Sequence, residues 1–302
     1  MTRKRLDVAI IGAGGFSRAM ARRLAGSGGA VVAVAARRPA QARAIVHGVR
    51  FASAKTIEDA VAAASIVVLA VPDRALLSVA RALVPARASW RGVVVLHAAG
   101  AYGPEPLAAL EAKGASIGVL HPLAVAGAGG AAAFAGAFAR IEGSPKARAG
   151  ALKLCALAGL IPLRGPGLAS PAGRASYHAA ASLAANDVVA LLASAVELLV
   201  RHGVKPRDGL AALTRLMEGA LAQVRAGGLA AALTGPVARN DAGTLAAQLK
   251  ALASVDPAAA DAHRALSLRL VALAEGSGRL DRDAAQGLRQ LLVRSRARSG
   301  RI

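Results

Sequence analysis

Residues 6–17 read LDVAIIGAGGFS, an apolar run rich in β-branched residues that meets a cluster of glycines. The run suits one buried strand, and the helical pattern opens near Phe16. Gly12 permits a tight turn, and Gly14 lets the backbone approach a pyrophosphate at the helix N-terminus; Gly15 and Phe16 complete the loop. Ser17 stands where a third glycine would, and is small enough for close helix–sheet packing. A turn that merely needs glycines is the competing explanation. At the first strand–helix junction of a βαβ unit, the pattern favours a dinucleotide.

The following sequence repeats the strand–helix alternation. Further strands are expected at 30–36, 65–71, 92–98 and 115–121, with edge strands in FARIEG (138–143) and GLIPL (159–163). Helical patterns start near Phe16, Pro39, Ile57, Asp73 and Pro104. Strands covered on both faces read as continuous apolar runs, as these do. The expected fold is α/β, a doubly wound, mostly parallel sheet with right-handed crossovers. From about Arg174 the strand signal ends and helices are expected at 174–202, 207–227, 241–253, 257–276 and 281–296. Pro162, Pro166 and Pro171 mark the break. The expected domains are therefore 1–165, dinucleotide-binding, and 166–302, all-helical, with a basic disordered tail from about 294.

The chain of 302 residues has a formal charge of +21, and 55% of it is hydrophobic. That apolar content excludes disorder. One cysteine, Cys155, excludes a disulfide framework, and its alanine-leucine surroundings suggest inert core. No histidine spacing suits a metal. The uncharged stretch from Gly114 to Ala139 is broken by His121, Pro122 and glycines, which makes it a poor membrane span. A cytoplasmic protein without membrane attachment is expected. Two terminal arginine clusters carry seven of the positive charges, leaving +14 elsewhere. Positive charge suits anionic small molecules, whereas 2% aromatics offer little for base stacking, so no specific nucleic acid is expected.

The second strand runs into Arg37 and Arg38, with no acid before Glu58. An acid there would bind a ribose 2′-hydroxyl; arginines instead suit a 2′-phosphate, which favours NADP over NAD. Val71-Pro72 ends another strand beside the cofactor, with Asp73 capping the next helix. His97 and His121 also end strands, where ligands of such sheets sit; His97 is assigned to the cofactor and His121 to the substrate. On the first long helix Arg174, His178, Ser182 and Asn186 recur every four residues as a polar stripe among alanines and leucines. A buried stripe needs partners, and a small substrate would provide them. In LTGPVARND (233–241), Asn240 or Asp241 is expected to cap the following helix.

The glycine loop, VLAVPD (68–73), His97, HPL (121–123), IEG (141–143), YHAAASLAAN (177–186) and LTGPVARND together resemble bacterial Rossmann-like proteins with a DUF2520 domain, within the 6-phosphogluconate dehydrogenase-like superfamily. The resemblance extends to roughly residue 270. It implies a helical domain that pairs two subunits as a homodimer, and NADP-dependent reduction of a small anionic oxo acid or imine, as in ketopantoate or pyrroline-carboxylate reductases. Asn186 matches the superfamily's helix asparagine, and Arg174 stands where relatives carry lysine. His178 and Asn186 would polarise the carbonyl, His178 donating the proton, with His121 or Arg174 on the substrate carboxylate. The alternative is a non-catalytic NADP-binding sensor, suggested by Arg174 and Ala98.

Overall fold

The computed structural model describes residues 5–125, 127 and 130–299. It divides into two compact units, Met1–Leu183 and Ala184–Ile302.

The first unit contains β1 (Leu6–Ile11), α1 (Gly15–Gly26), β2 (Ala30–Ala35), α2 (Pro39–Val46), β3 (Ala52–Ala54), α3 (Ile57–Ala62), β4 (Ile66–Leu69), α4 (Asp73–Leu83), β5 (Val94–His97), α5 (Ala108–Glu111), β6 (Ser116–Pro122), β7 (Phe138–Gly143), α6 (Pro145–Ala158) and β8 (Ile161–Leu163). The strands form one sheet in the order β3-β2-β1-β4-β5-β6-β7-β8. Every pairing is parallel except β6 with β7, so the sheet is mostly parallel as expected. Val8 and Ile10 enter a core with α1, α2 and α6, while Ala9 and Ile11 enter another with α3 and α4. A strand buried on both faces cannot alternate polar and apolar residues, which is why these runs are continuous. β3 escaped the sequence reading because three small residues at an edge carry no apolar run.

Strand order reverses between β2-β1 and β4-β5, placing the switch point at the C-terminal ends of β1 and β4. The glycine loop and the VPD turn both lie there. Asp73 is the first residue of α4, with Pro72 at the cap position and no side-chain cap, which corrects the expected capping role.

The helix α7 (Pro171–Val200) begins in the first unit and ends in the second. The expected boundary at 165/166 thus lies 18 residues before the observed one at 183/184, because Arg174 and Tyr177 bond into the sheet unit. The second unit continues with α8 (Pro206–Ala231), α9 (Gly235–Ala238), α10 (Ala242–Ala253), α11 (Pro257–Gly276) and α12 (Arg282–Ser299). Gly228, at φ +77, kinks α8 near its end. Asp241 and Asp256 cap α10 and α11 by accepting from Thr244 N at 2.9 Å and Ala259 N at 3.0 Å. Helical backbone continues to Ser299 where a disordered tail was expected from about 294; arginine and alanine both favour helix.

The core of the second unit is built by α9 to α12, from Leu233 and Val237 through Leu245 and Val271 to Leu292. Consequently α7 is not the buried helix its alanines and leucines suggested: Tyr177 alone is buried among its residues. Leu183, Val189 and Leu191 on α7 and Leu210, Leu216 and Leu221 on α8 are exposed. By length and composition α7 could cross a membrane.

Candidate functional site

The glycine loop is fixed by the close approach of β4. Gly12 has φ +133, and a Cβ there would sit 2.1 Å from the Ala70 carbonyl oxygen, so no other residue fits. Gly14 precedes α1 with open space on its Cβ side. The helix has no side-chain cap and no acid in its first turn, leaving its positive end free for an anion. Ser17 is fully buried, consistent with helix–sheet packing rather than ligand contact, and Phe16 packs edge-on against Phe134 at 5.6 Å. Arg37 and Arg38 are exposed directly after β2, the strand beside β1. Val71 and Pro72 follow β4, on the opposite side of the loop. These residues fit a phosphorylated dinucleotide.

The two strand-end histidines differ in kind. His97 is fully buried; its Nδ1 accepts from Ala99 N at 3.1 Å, so Nε2–H donates to the Gly103 carbonyl at 2.6 Å. Burial holds its imidazole below the usual histidine range. Both ring nitrogens being engaged, the His97 imidazole shapes the loop after β5 and leaves no nitrogen free for the cofactor contact expected of it.

His121 pairs with Tyr177, Nδ1 lying 2.8 Å from the phenol oxygen. Tyr177 donates its hydroxyl hydrogen to the His121 carbonyl at 3.1 Å. In that arrangement Nδ1–H donates to the phenol, and Nε2 keeps its lone pair. Nε2 is directed at Gly100: a Cβ there would lie 2.8 Å from it and 3.0 Å from His178 Nδ1. Hence the two imidazole nitrogens are within about 6 Å of each other across a residue with no side chain. Burial, then the Arg140 charge, then His178, lower His121 to about 4, so it is neutral at neutral pH. Burial raises the Tyr177 phenol to about 12.

Beneath this pair runs an ion network. Arg140, fully buried, donates to Glu142 at 2.6 Å and to the carbonyls of Gly100 and Tyr102 at 3.2 and 2.7 Å. Its guanidinium also lies 5.4 Å from the centre of the Tyr177 ring. Arg174 embraces Glu142 with Nε, at 3.1 Å, and with a terminal nitrogen, and reaches Glu105 at 2.7 Å. It lies flat on Gly103, where a Cβ would meet the guanidinium carbon at 2.2 Å. The carboxylates hold Arg174 above its ordinary range, Glu142 most strongly. Both arginines are thus committed to carboxylates. Arg174 holds the start of α7 to the sheet unit and commits three of its five N–H donors to these carboxylates, so the charge expected to meet a substrate carboxylate is already paired. His121, neutral and with a lone pair outward, does not supply that charge either.

Family models match the chain as a Rossmann-like domain over residues 1–122 and as a domain of unknown function, DUF2520, over residues 137–270. The chain carries a Rossmann-like domain followed by a DUF2520 domain. Among solved structures, the chain is similar to one from Bacteroides fragilis, provisionally named an NADP oxidoreductase, with 23% identity over 88% of this chain and 98% of that one and a TM-score of 0.68. A protein from Thermotoga maritima shares 20% identity over 89% and 98% of the two chains, at a TM-score of 0.65. An imine reductase from Pseudomonas sp. shares 19% identity over 97% and 99%, at a TM-score of 0.61. At these identities the likeness establishes the fold. No protein with a curated description matches the chain.

In this chain α7 brings His178 to Gly100 and Arg174 to Glu142, while Ser182 and Asn186 are engaged in interactions of their own. Asn186 lies in the second compact unit. Tyr177, Arg140 and Glu142 were missed by sequence reasoning. Tyr177 and Glu142 fall inside the YHAAASLAAN and IEG motifs, but the partners that give them roles are distant in sequence. Cys155 is buried as expected, its thiol pushed up to about 12 by burial.

Proposed function

We propose that the protein is an NADPH-dependent reductase of a small substrate carrying a C=N or C=O bond, the imine being favoured. One observation carries this reading: the uncapped start of α1 behind Gly12 and Gly14 at the strand-order reversal, with Arg37 and Arg38 just beyond the end of the adjacent strand. The α1 amides would hold the pyrophosphate and the two arginines the 2′-phosphate. Bound there, NADPH supplies the hydride. His178, exposed beside the His121 lone pair, would give the proton to the reduced atom, with His121 fixing its orientation. Asn186 is assigned to positioning the reacting bond. The neighbours named imine reductase, and one from Coxiella burnetii named pyrroline-5-carboxylate reductase, support the C=N preference. So does the pairing of Arg174 with Glu142 and Glu105, which already neutralises the charge that would attract the carboxylate of an oxo acid.

The exposed apolar residues of α7 and α8 support a homodimer through the helical unit, with a second copy covering them. A non-catalytic NADP sensor is the second reading, favoured by the structural use of Arg174 between Glu142 and Glu105.

The test is a fluorescence titration with NADPH and NADH on wild type and Arg37→Ala, followed by turnover of cyclic imines. The expected result is NADPH binding at least tenfold tighter than NADH, with the preference lost in the variant. No binding of either nucleotide would remove the reductase reading, and tight NADPH binding without turnover of any imine or oxo acid would leave the sensor.

A further inference from the structure

At the edge of the sheet opposite the glycine loop, the segments that lead into β2 and β3 line an open cavity of about 690 Å³. Its walls come from the end of α1 (Arg22, Ser27, Gly28) and from the turn between α2 and β3 (His47, Arg50, Phe51). Arg5, just before β1, reaches the same place: its Nε donates to the Gly28 carbonyl at 3.0 Å. The Arg5 and Arg50 guanidinium carbons lie 4.0 and 4.6 Å from the centre of the Phe51 ring. β1 spans six residues, so this cavity lies about 20 Å from the glycine loop.

Several features distinguish it from an ordinary dent in a basic surface. None of the residues lining the cavity is acidic. The nearest acid in sequence, Asp7, alternates with Leu6 and Val8, whose side chains join the α1–α2 core, and so projects to the other face of the sheet. The C-terminal ends of α1 and α2 point here, but together they offset about one positive charge. Three guanidinium groups therefore retain an excess near +2 before His47 is counted. Phe51 has φ +62, a backbone conformation rarely adopted by an aromatic residue, and its ring is the surface on which two of the guanidiniums rest. Arginines stacked on a ring keep their N–H edges free for an oxyanion. The ring's use by cations leaves phosphate recognition, rather than base stacking, as the chemistry of the site. The volume suits a metabolite-sized ligand.

We propose that this cavity is a second anion site, for a small phosphorylated metabolite, separate from the dinucleotide site. The proposal stands whether or not the chain is a reductase.

The test uses inorganic pyrophosphate as the probe on the full chain, with calorimetry and backbone amide NMR. Wild type should bind saturably and shift the Gly28 and Gly48 amides. Arg50→Ala should weaken this at least fivefold, while Arg37→Ala at the opposite edge leaves it unchanged. Arg22→Ala, on the exposed face of α1, serves if Arg50→Ala does not fold. Shifts confined to Gly12 and Gly14, no saturable binding, or wild-type affinity in both the Arg22 and Arg50 variants would each overturn the proposal. A 20-base-pair duplex that binds wild type and loses affinity in Arg50→Ala, with pyrophosphate inert, would instead assign the cavity to nucleic acid and overturn it too.

Discussion

Replacing Glu142 with glutamine tests the network that fixes the histidine pair. Among the described residues, Glu142 is the only carboxylate paired with Arg140 and one of two paired with Arg174. The Arg140 side chain is 2% exposed and that of Glu142 10%, so water cannot replace the lost charge. Removing one partner of a buried pair costs about 3–5 kcal/mol, chiefly because the other charge stays buried and unpaired. Glu105, with its side chain 63% exposed, should lose under about 1 kcal/mol on the same change, since solvent already screens its pairing with Arg174. Trp90 is the sole tryptophan and is fully buried in the first unit, so its fluorescence in urea reports that unit alone. Glu142→Gln should lower the unfolding free energy by about 3–5 kcal/mol, which for a unit of this size corresponds to roughly 6–20 °C in melting temperature. Glu105→Gln should lower it by less than a third of that. Equal losses in the two variants, or a Glu142→Gln loss below about 1 kcal/mol, would refute the claim that Glu142 is the centre of the network.

Gly100→Ala inserts a methyl 2.8 Å from His121 Nε2 and 3.0 Å from His178 Nδ1. Turnover should fall at least tenfold with NADPH affinity within twofold of wild type; unchanged turnover would separate the histidine pair from the chemistry. Asn186→Ala should likewise lower turnover and spare NADPH binding, and loss of both together would remove Asn186 from its assigned role. His121 titrates near 4 when folded and at about 6.5 when unfolded, so between those values the unfolded chain holds a proton that the folded chain lacks. Its contribution is complete above about pH 6.5 and falls away as pH drops to about 4, amounting to roughly 3 kcal/mol. Urea unfolding of His121→Gln across that window should show a shallower acid loss than wild type, and parallel curves would contradict a buried neutral imidazole.

The sheet was legible because doubly covered strands leave a signal that needs no partner: Val8 to Ile11 are apolar in sequence whatever lies above them. The glycine loop was legible for a related reason, since Gly12 is dictated by one local contact, the carbonyl of Ala70. β3 was not, because Ala52–Ala54 pairs through its backbone and its side chains carry no pattern. The four-residue spacing on α7 correctly grouped Arg174 and His178, yet periodicity cannot say what a stripe faces. Arg174 meets Glu142 and Glu105, 32 and 69 residues away in sequence.

His97 and His121 show the same limit at one site. Each stands at the C-terminal end of a strand, and nothing in the sequence beside them tells them apart. What separates them is where the chain goes next. After His97 it turns back within six residues, and the Ala99 amide and Gly103 carbonyl take both ring nitrogens. After His121 it leads toward β7, and Tyr177, arriving on α7, takes only Nδ1. One imidazole is closed by its own loop, and the other keeps Nε2 toward Gly100 because a distant element engaged a single side of the ring. A strand-end histidine in such a sheet is therefore to be weighed by counting what the next few backbone groups can reach. Chemistry is left to the ring that they do not close.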